Sequence, residues 1–313
     1  MKFLNQFCLI AVNVVVSFFL SLVAAAAVTA QSVTVEISSQ KDNTLFEDQV
    51  GGLSNGAGYY FFAGRTSQLS NSIRRGVIAF DIAASIPSGA VIVDAQLTLF
   101  MSRVSFGAPA ATIELRRLEA DWGEGSSDAF GEEGGGALSA TNDVTWIHTF
   151  FDAGFWTSPG GDFDAPVSSS TVVNSVGFYT FPSTSTMIAD VQNWLDTPSG
   201  NFGWIILGNE TVAGSSRRFS CKEDTLASNR PILSVSYIPL PCCIGNRGDI
   251  NNDGTDANIL DLTYLVDRIF RGGPPAACGV EADVNSDGAS SNILDLTYLV
   301  DRIFRGGPPP GPC

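Results

Sequence analysis

NILDLTYLVDRIFRGGPP, residues 258–275, returns without a change at 292–309, displaced by 34 positions. In the first copy Leu262, Leu265, Val266, Ile269 and Phe270 are spaced i, i+3, i+4, i+7, i+8, one apolar stripe along a helix. Leu296, Leu299, Val300, Ile303 and Phe304 repeat it. Gly272-Gly273-Pro274 ends the helix, because glycine accepts a left-handed cap and proline cannot continue the turn. An acidic run precedes each copy: Asp249-Ile250-Asn251-Asn252-Asp253-Gly254, then Asp283-Val284-Asn285-Ser286-Asp287-Gly288. Every second side chain there bears an oxygen, and the glycine supplies the sharp turn that closes a chain around a hard cation. The pattern predicts two Ca2+ ions in the C-terminal module. A 34-residue half buries too little surface alone, so the two stripes are expected to pack on each other about a pseudo-twofold axis.

Working outward, 313 residues leave room for about two domains. Seventeen Lys+Arg against 32 Asp+Glu, a net charge of −15, argue against nucleic acid and anionic membranes as partners, since both need clustered basic residues. Residues 1–30 read as a secretory signal: Lys2 is a short positive start, Phe7–Val28 is uncharged and mostly apolar, and Val28-Thr29-Ala30 fits small-residue cleavage. The alternative is an uncleaved anchor, since the stretch approaches the ~20 residues needed to span a bilayer. Cleavage near Gln31 implies a secreted protein, attached or not to the cell surface, with no membrane insertion afterwards. Cys221, Cys242, Cys243, Cys278 and Cys313 then remain, four of them bracketing the repeats. Export favours disulfides of open pairing with Cys221 as the odd thiol. A zinc site has little to draw on, because His148 is the only histidine and lies far away in sequence.

Residues 31–240 read as one all-β domain. Ser32–Ser38 alternates strictly, and Gly76–Ile82, Ala90–Met101, Ala111–Leu118, Gly203–Leu207 and Ile232–Ile238 are further strands. Turns such as Pro87-Ser88-Gly89 separate them, and only Met187–Leu195 has helical spacing. The fold class expected is mainly β, a jelly-roll-type β-sandwich followed by a small α-helical module at 241–313. Residues 119–170 form a long Gly/Asp/Ser-rich excursion carrying Trp122, Trp146 and Trp156, which argues against a floppy loop. Ile238-Pro239-Leu240-Pro241 reads as a stiff hinge.

The loop-then-helix unit, repeated once, resembles a type I dockerin domain over roughly 245–313. That resemblance implies calcium ligands Asp249, Asn251, Asp253, the Thr255 carbonyl, Asn258 through water, and Asp261. The second set is Asp283, Asn285, Asp287, the Ala289 carbonyl, Asn292 and Asp295. It also implies a cohesin-like partner on a scaffold or cell surface, met by Tyr264, Arg268 and Arg271 and by Tyr298, Arg302 and Arg305. One departure is shared by both halves: Asp249 to Asp261 and Asp283 to Asp295 each span thirteen residues where the standard loop closes at its twelfth. The extra residue lies within Thr255-Asp256-Ala257 and Ala289-Ser290-Ser291.

Lys41–Glu47, Ser72–Gly76, Phe219–Glu223 and Asn229–Val235 resemble the secreted DNRLRE-type domain, a β-sandwich related to carbohydrate-binding modules. Its name-giving motif survives as Asp42-Asn43-Thr44-Leu45-Phe46-Glu47, with threonine in place of arginine. The resemblance implies polysaccharide binding. Sugar rings stack on aromatic faces with polar groups fixing the hydroxyls, which makes Tyr59, Tyr60, Trp122, Trp146 and Trp156 candidate platforms. Arg74 and Arg75 are candidates for pairing with uronate carboxylates. Glu124, Asp128, Glu132, Glu133 and Asp143 supply carboxylates for a glycosidase, but no spacing selects a pair, and a single histidine leaves hydrolase triads almost without support. The expectation is a non-catalytic protein that binds a polysaccharide or cell-surface glycan and is tethered by its calcium-dependent tail. Alternatives are a dockerin-bearing glycoside hydrolase or lyase, and a structural cell-surface protein.

Overall fold

The computed structural model describes residues 32–240 and 242–313. The segment expected to be a signal, with Cys8, and Pro241 of the expected hinge lie outside the described residues. No described helix is long and apolar enough to cross a membrane.

The chain is mainly β up to Ile238. Its first strands are β1 (Val33–Phe46), β2 (Leu53–Ser54), β3 (Tyr60–Arg65) and β4 (Ile73–Phe80), followed by the short helix α1 (Ile82–Ser85). Then come β5 (Val91–Val104), β6 (Ala111–Arg117), β7 (Ala137–Leu138), β8 (His148–Phe150), β9 (Gly154–Phe155), β10 (Ser169–Val173) and β11 (Gly177–Phe181). Helix α2 (Ser185–Asp196) precedes β12 (Trp204–Leu207), β13 (Arg217–Ser220) and β14 (Ile232–Ile238). The tail adds α3 (Ile259–Arg271), α4 (Gly279–Ala282) and α5 (Ile293–Arg305).

Six strands pair in the order β1-β14-β5-β13-β3-β4, and β4 returns to β1, so the ring closes. β12, β6 and β10 extend it from β4, and β11 adds to β5. β1 serves two neighbours: Val33–Ser38 pair with β14, a bulge follows at Ser39/Lys41, and Lys41–Phe46 pair with β4. A bulge bends a strand and raises its twist, which lets one strand turn the corner. The burial changes with it, from alternation at Val33–Ser38 to unbroken burial at Asp42–Phe46.

That unbroken burial has a cause in β4. Ile78 and Phe80 enter a large core with Phe61, Leu97, Leu99, Trp204 and Phe219, against which α2 packs Met187, Val191 and Trp194. Val77 and Ala79 face the other way, into a second core with Leu45, Ile205, Trp122, Val144, Trp146 and Trp156. The excursion after β6 therefore covers the outer face of the sheet, and β4 reads as a continuous apolar run because both of its faces are covered.

In the tail a third core gathers Ile250, Leu262, Leu265, Ala282, Val284, Leu296 and Leu299, with Val266, Ile269, Val300 and Ile303 partly buried beside it. The expected stripes meet, with one correction. Phe270 and Phe304, the last stripe positions, are 62% and 63% exposed. They sit in the final helical turn, next to the left-handed caps Gly272 and Gly306, past the cluster that buries Leu265 and Leu299 completely. Ile250 and Val284, between the first two oxygen-bearing residues of each loop, are core instead.

The open pairing of the cysteines resolves as Cys242–Cys278 and Cys243–Cys313, with Cys221 free and buried. Cys243–Cys313 spans 70 residues of sequence. Closing such a loop restricts the unfolded chain, and its loss as C243S/C313S is expected to cost about 2–4 kcal/mol in urea unfolding with calcium chelated.

Candidate metal centres in the C-terminal repeats

The two loops fold by the same hydrogen bonds. Asp249 Oδ1 and Oδ2 accept from the backbone N–H groups of Asp253 and Gly254 at 2.9 and 2.8 Å. Asp283 does the same with Asp287 and Gly288 at 3.0 and 3.1 Å. Asn251 Oδ1 accepts from Asp253 N and Asp253 Oδ1 from Thr255 N, both at 3.0 Å. Asn285 and Asp287 repeat this at 3.0 and 2.9 Å. Asn251 and Asp253, with their counterparts, thus turn onto the backbone two residues on, and Asp249 and Asp283 onto the backbone four and five residues on, which winds each loop tightly.

Asp261 and Asp295 close the loops from beneath, and both are fully buried. Asp261 Oδ1 accepts from Ile250 N at 2.8 Å and Asn251 N at 3.2 Å, while Oδ2 accepts from Asn258 N at 2.9 Å. The last of these is half of a capping box, reciprocated by the Asn258 side chain; Asn292 and Asp295 form the same box on α5. Asn258 and Asn292 are therefore helix caps, and their Nδ2 groups donate to the Thr255 and Ala289 carbonyls. Burial pushes the Asp261 carboxyl up from its ordinary range, against the pull of the three N–H groups.

The thirteenth residue has a clear place. Ala257 and Ser291 take left-handed φ of 49° and 57°, and their N–H groups bond back to the Gly248 and Ala282 carbonyls, both at 3.0 Å. The extra residue is absorbed in this kink, between the glycine turn and the helix cap. Every donor in the set is a carboxylate, amide or carbonyl oxygen, the chemistry a hard divalent cation takes. A cation already stands at the second loop, where Arg247 Nη1 lies 2.6 Å from Asp283 Oδ2. Hydrogen bonds link Asp249, Asn251, Asp253 and Asp261 within one loop, and Asp283, Asn285, Asp287 and Asp295 within the other, and the chemistry of these donors is that of a calcium site.

The helix positions assigned to a partner divide into two kinds. Tyr264 Oη donates to the Pro275 carbonyl and Arg268 Nη1 to the Gly273 carbonyl, both at 3.1 Å, fastening the chain after α3. Tyr298 and Arg302 do likewise after α5, at 3.2 and 3.1 Å. Arg271 and Arg305 stay 76% exposed, near Asp267 and Asp301. Sequence reasoning missed Ile259, Leu260, Ile293 and Leu294, which are half or more exposed at the helix starts. Their signal was present: they are apolar residues out of phase with the buried stripe.

In the β-domain most candidate sugar contacts are interior, which corrects the expectation for them. Trp122, Trp146 and Trp156 are 1%, 5% and 5% exposed, so no indole face is left for a sugar ring. They fill the second core because a strand covered on both faces needs bulk outside as well as inside. Arg74 is 2% exposed, donates to the Gly134, Asn71 and Ile73 carbonyls, and lies over the Phe46 ring. Tyr60 has the Arg218 guanidinium 3.8 Å over its ring. Tyr59 is open, and with Asp128, Phe130 and Glu133 lines a cavity of about 320 Å³. Arg75 holds Glu210 bidentately at 2.7 and 3.0 Å and donates to the Gly160 carbonyl at 2.7 Å. Arg75 and Phe163 are shared by two open cavities of about 620 and 600 Å³.

Lys41–Glu47, Ser72–Gly76 and Phe219–Glu223 come together, with Asp42, Asn43 and Arg74 buried among them. Asn43, 1% exposed, donates to Ser54 Oγ and the Glu124 carbonyl, and accepts from Thr44 N and Asn55 N. Asp42 accepts from Lys222 N at 3.0 Å and Ser39 Oγ at 3.2 Å, and Glu124 accepts from Asp42 N at 2.9 Å. Glu47 accepts from Ile73 N at 2.9 Å. The candidate acids are also tied: Glu133 to Asn55 and Tyr60 N, Asp143 to Ala140 N and Ser127 N, and Glu132 to Arg103 and Arg218. Against known proteins, no family model matches this chain, and a search of curated proteins finds no match.

Proposed function

We propose that the protein is a secreted, non-catalytic two-module protein. Its tail is a dockerin-like calcium module that tethers it to a cohesin-like partner, and its jelly-roll-type β-domain binds a polysaccharide or cell-surface glycan. The observation that carries this reading is the duplicated loop, which winds the same oxygen ligands into the same hydrogen-bonded arrangement twice. Each loop opens directly into a helix whose start exposes Ile259 and Leu260, or Ile293 and Leu294. Two such apolar patches, with Arg271 and Arg305 at the far helix ends, suit a partner that presents an apolar surface with an acidic margin. In the β-domain the glycan surface moves from the tryptophans to the open groove around Arg75 and Phe163, where a half-buried ring is flanked by Glu114, Arg116, Asn209 and Glu210.

Two measurements test the reading. Immobilised full chain in millimolar calcium is expected to capture a calcium-dependent partner from culture supernatant and to release it in EGTA. R271E/R305E is expected to weaken that capture at least tenfold while calcium uptake is unchanged. A glycan array run beside a reducing-sugar assay is expected to give binding without product. Product release would replace this reading with an enzyme, and capture that survives EGTA would remove the tether.

A further inference from the structure

The 34-residue repeat matches each position of the first half with one in the second, and it matches Arg247 with Glu281. Both stand two residues ahead of a loop's first aspartate, and each meets the loop of the other half. Arg247 Nη1 donates to Asp283 Oδ2 at 2.6 Å and to the Asp283 carbonyl at 2.9 Å. The two side chains are only 18% and 10% exposed. Glu281, 6% exposed, accepts from Asp249 N at 3.2 Å through Oε2, and its carbonyl accepts from Gly248 N at 3.0 Å. The second loop thus has a guanidinium on its first ligand where the first loop has a carboxylate beside its own. The insertions differ in the same sense, with Asp256 in the first loop and Ser290 in the second. Asp249, Asp253, Asp256, Asp261 and Glu281 therefore serve the first loop, whereas Asp283, Asp287 and Asp295 share the second with a fixed positive charge.

Resting on the calcium reading above, we propose that the two loops are unequal sites: the first is the tight one, and the second is held closed by Arg247, whose guanidinium a divalent ion must displace from Asp283. Glu281, Arg247 and Asp283 are largely buried, so their charges are less screened than those of the exposed Asp256 and weigh most in the difference. Arginine keeps its charge at any physiological pH, which makes the competition a matter of ion concentration. The sequence-identical helices would then be set in place in order, α3 at low calcium and α5 at higher calcium.

The test is isothermal titration of the full chain with calcium chloride. Wild type is expected to show two steps separated by at least tenfold, about 1.4 kcal/mol. D249N should remove the tighter step and D283N the weaker. R247Q should tighten the weaker step at least fivefold and leave the other within twofold. Should R247Q disturb the fold, E281Q is the second arm: its amide oxygen still accepts from Asp249 N, but the tighter step loosens. Two equal steps in wild type, loss of the tighter step in D283N, or both steps unmoved in R247Q and E281Q would overturn the inequality while leaving calcium binding standing. No uptake by wild type would overturn the calcium reading itself.

Discussion

Asp261→Ala is expected to lower the unfolding free energy of the tail by about 3–5 kcal/mol with calcium chelated, before any ion is bound. The side chain is fully buried and is the acceptor for three backbone N–H groups, those of Ile250, Asn251 and Asn258. Alanine leaves all three without a partner in a protected position, at about 1–3 kcal/mol each, and also removes half of the capping box on α3. Asp261→Asn keeps one acceptor oxygen and should lose about half as much. Asp249→Ala is the contrasting case. Its carboxylate faces Asp253 and Gly254, which are exposed, so water can replace it, and the loss without calcium should stay within about 1 kcal/mol. With calcium D249A becomes costly as well, because it should abolish uptake by the first loop, as should D261A. Urea unfolding in EGTA and in millimolar calcium reads the three variants against wild type. A D261A variant as stable as wild type in EGTA would remove Asp261 from the loop's framework.

Asp42 should make the β-domain lose stability as the pH rises. The carboxyl is 2% exposed, and burial, with Glu223 and Glu124 nearby, pushes it up to about 7 from an ordinary 3.8. Below pH 4 it is protonated whether the chain is folded or not and contributes no pH dependence. Between about 4 and 7 the unfolded chain gives up this proton while the folded chain keeps it, so stability falls through that window. Above 7 the folded state carries a buried charge, at a cost on the order of 4 kcal/mol for a shift of about three units. Asp42→Asn removes the titration. Going from pH 4 to pH 8, D42N should gain on wild type by about that amount, read as the difference between two denaturation series. Parallel series for the two proteins would show that Asp42 is ionised in the folded state throughout.

The repeats were the most legible part of the chain because their local and tertiary requirements coincide. The spacing that makes Leu262, Leu265 and Val266 one helical face is the spacing that packs them against Leu296 and Leu299. Phe270 follows the same arithmetic and is exposed, since periodicity assigns a face but not how far along the helix its neighbour reaches. In the β-domain alternation located several of the main strands, but the layer that covers the outer face of β4 was not read from the sequence. Nothing in the spacing identified that layer as residues 119–163, because packing of an irregular segment has no period. The tryptophans argued against a floppy loop, but an aromatic that stacks on a sugar and one that fills a core look alike in sequence, and these indoles anchor the excursion to the sheet. Asp42, Asn43 and Glu47 drew attention as a motif, and the structure spends their hydrogen bonds on neighbouring strands and turns. The Arg247–Asp283 contact was beyond reach, since it joins residues 36 apart only because the two halves face one another.

The sulfur bridges give the tail an unusual response to pulling. Any load on the β-domain reaches the tail where the chain enters it, at Cys242 and Cys243. From there the covalent bonds pass it straight to Cys278 and Cys313, beside which Asn246 pairs with Pro312. Each long helix lies inside a loop closed by one of these bonds, so tension on the ends of the tail cannot draw it out along the chain.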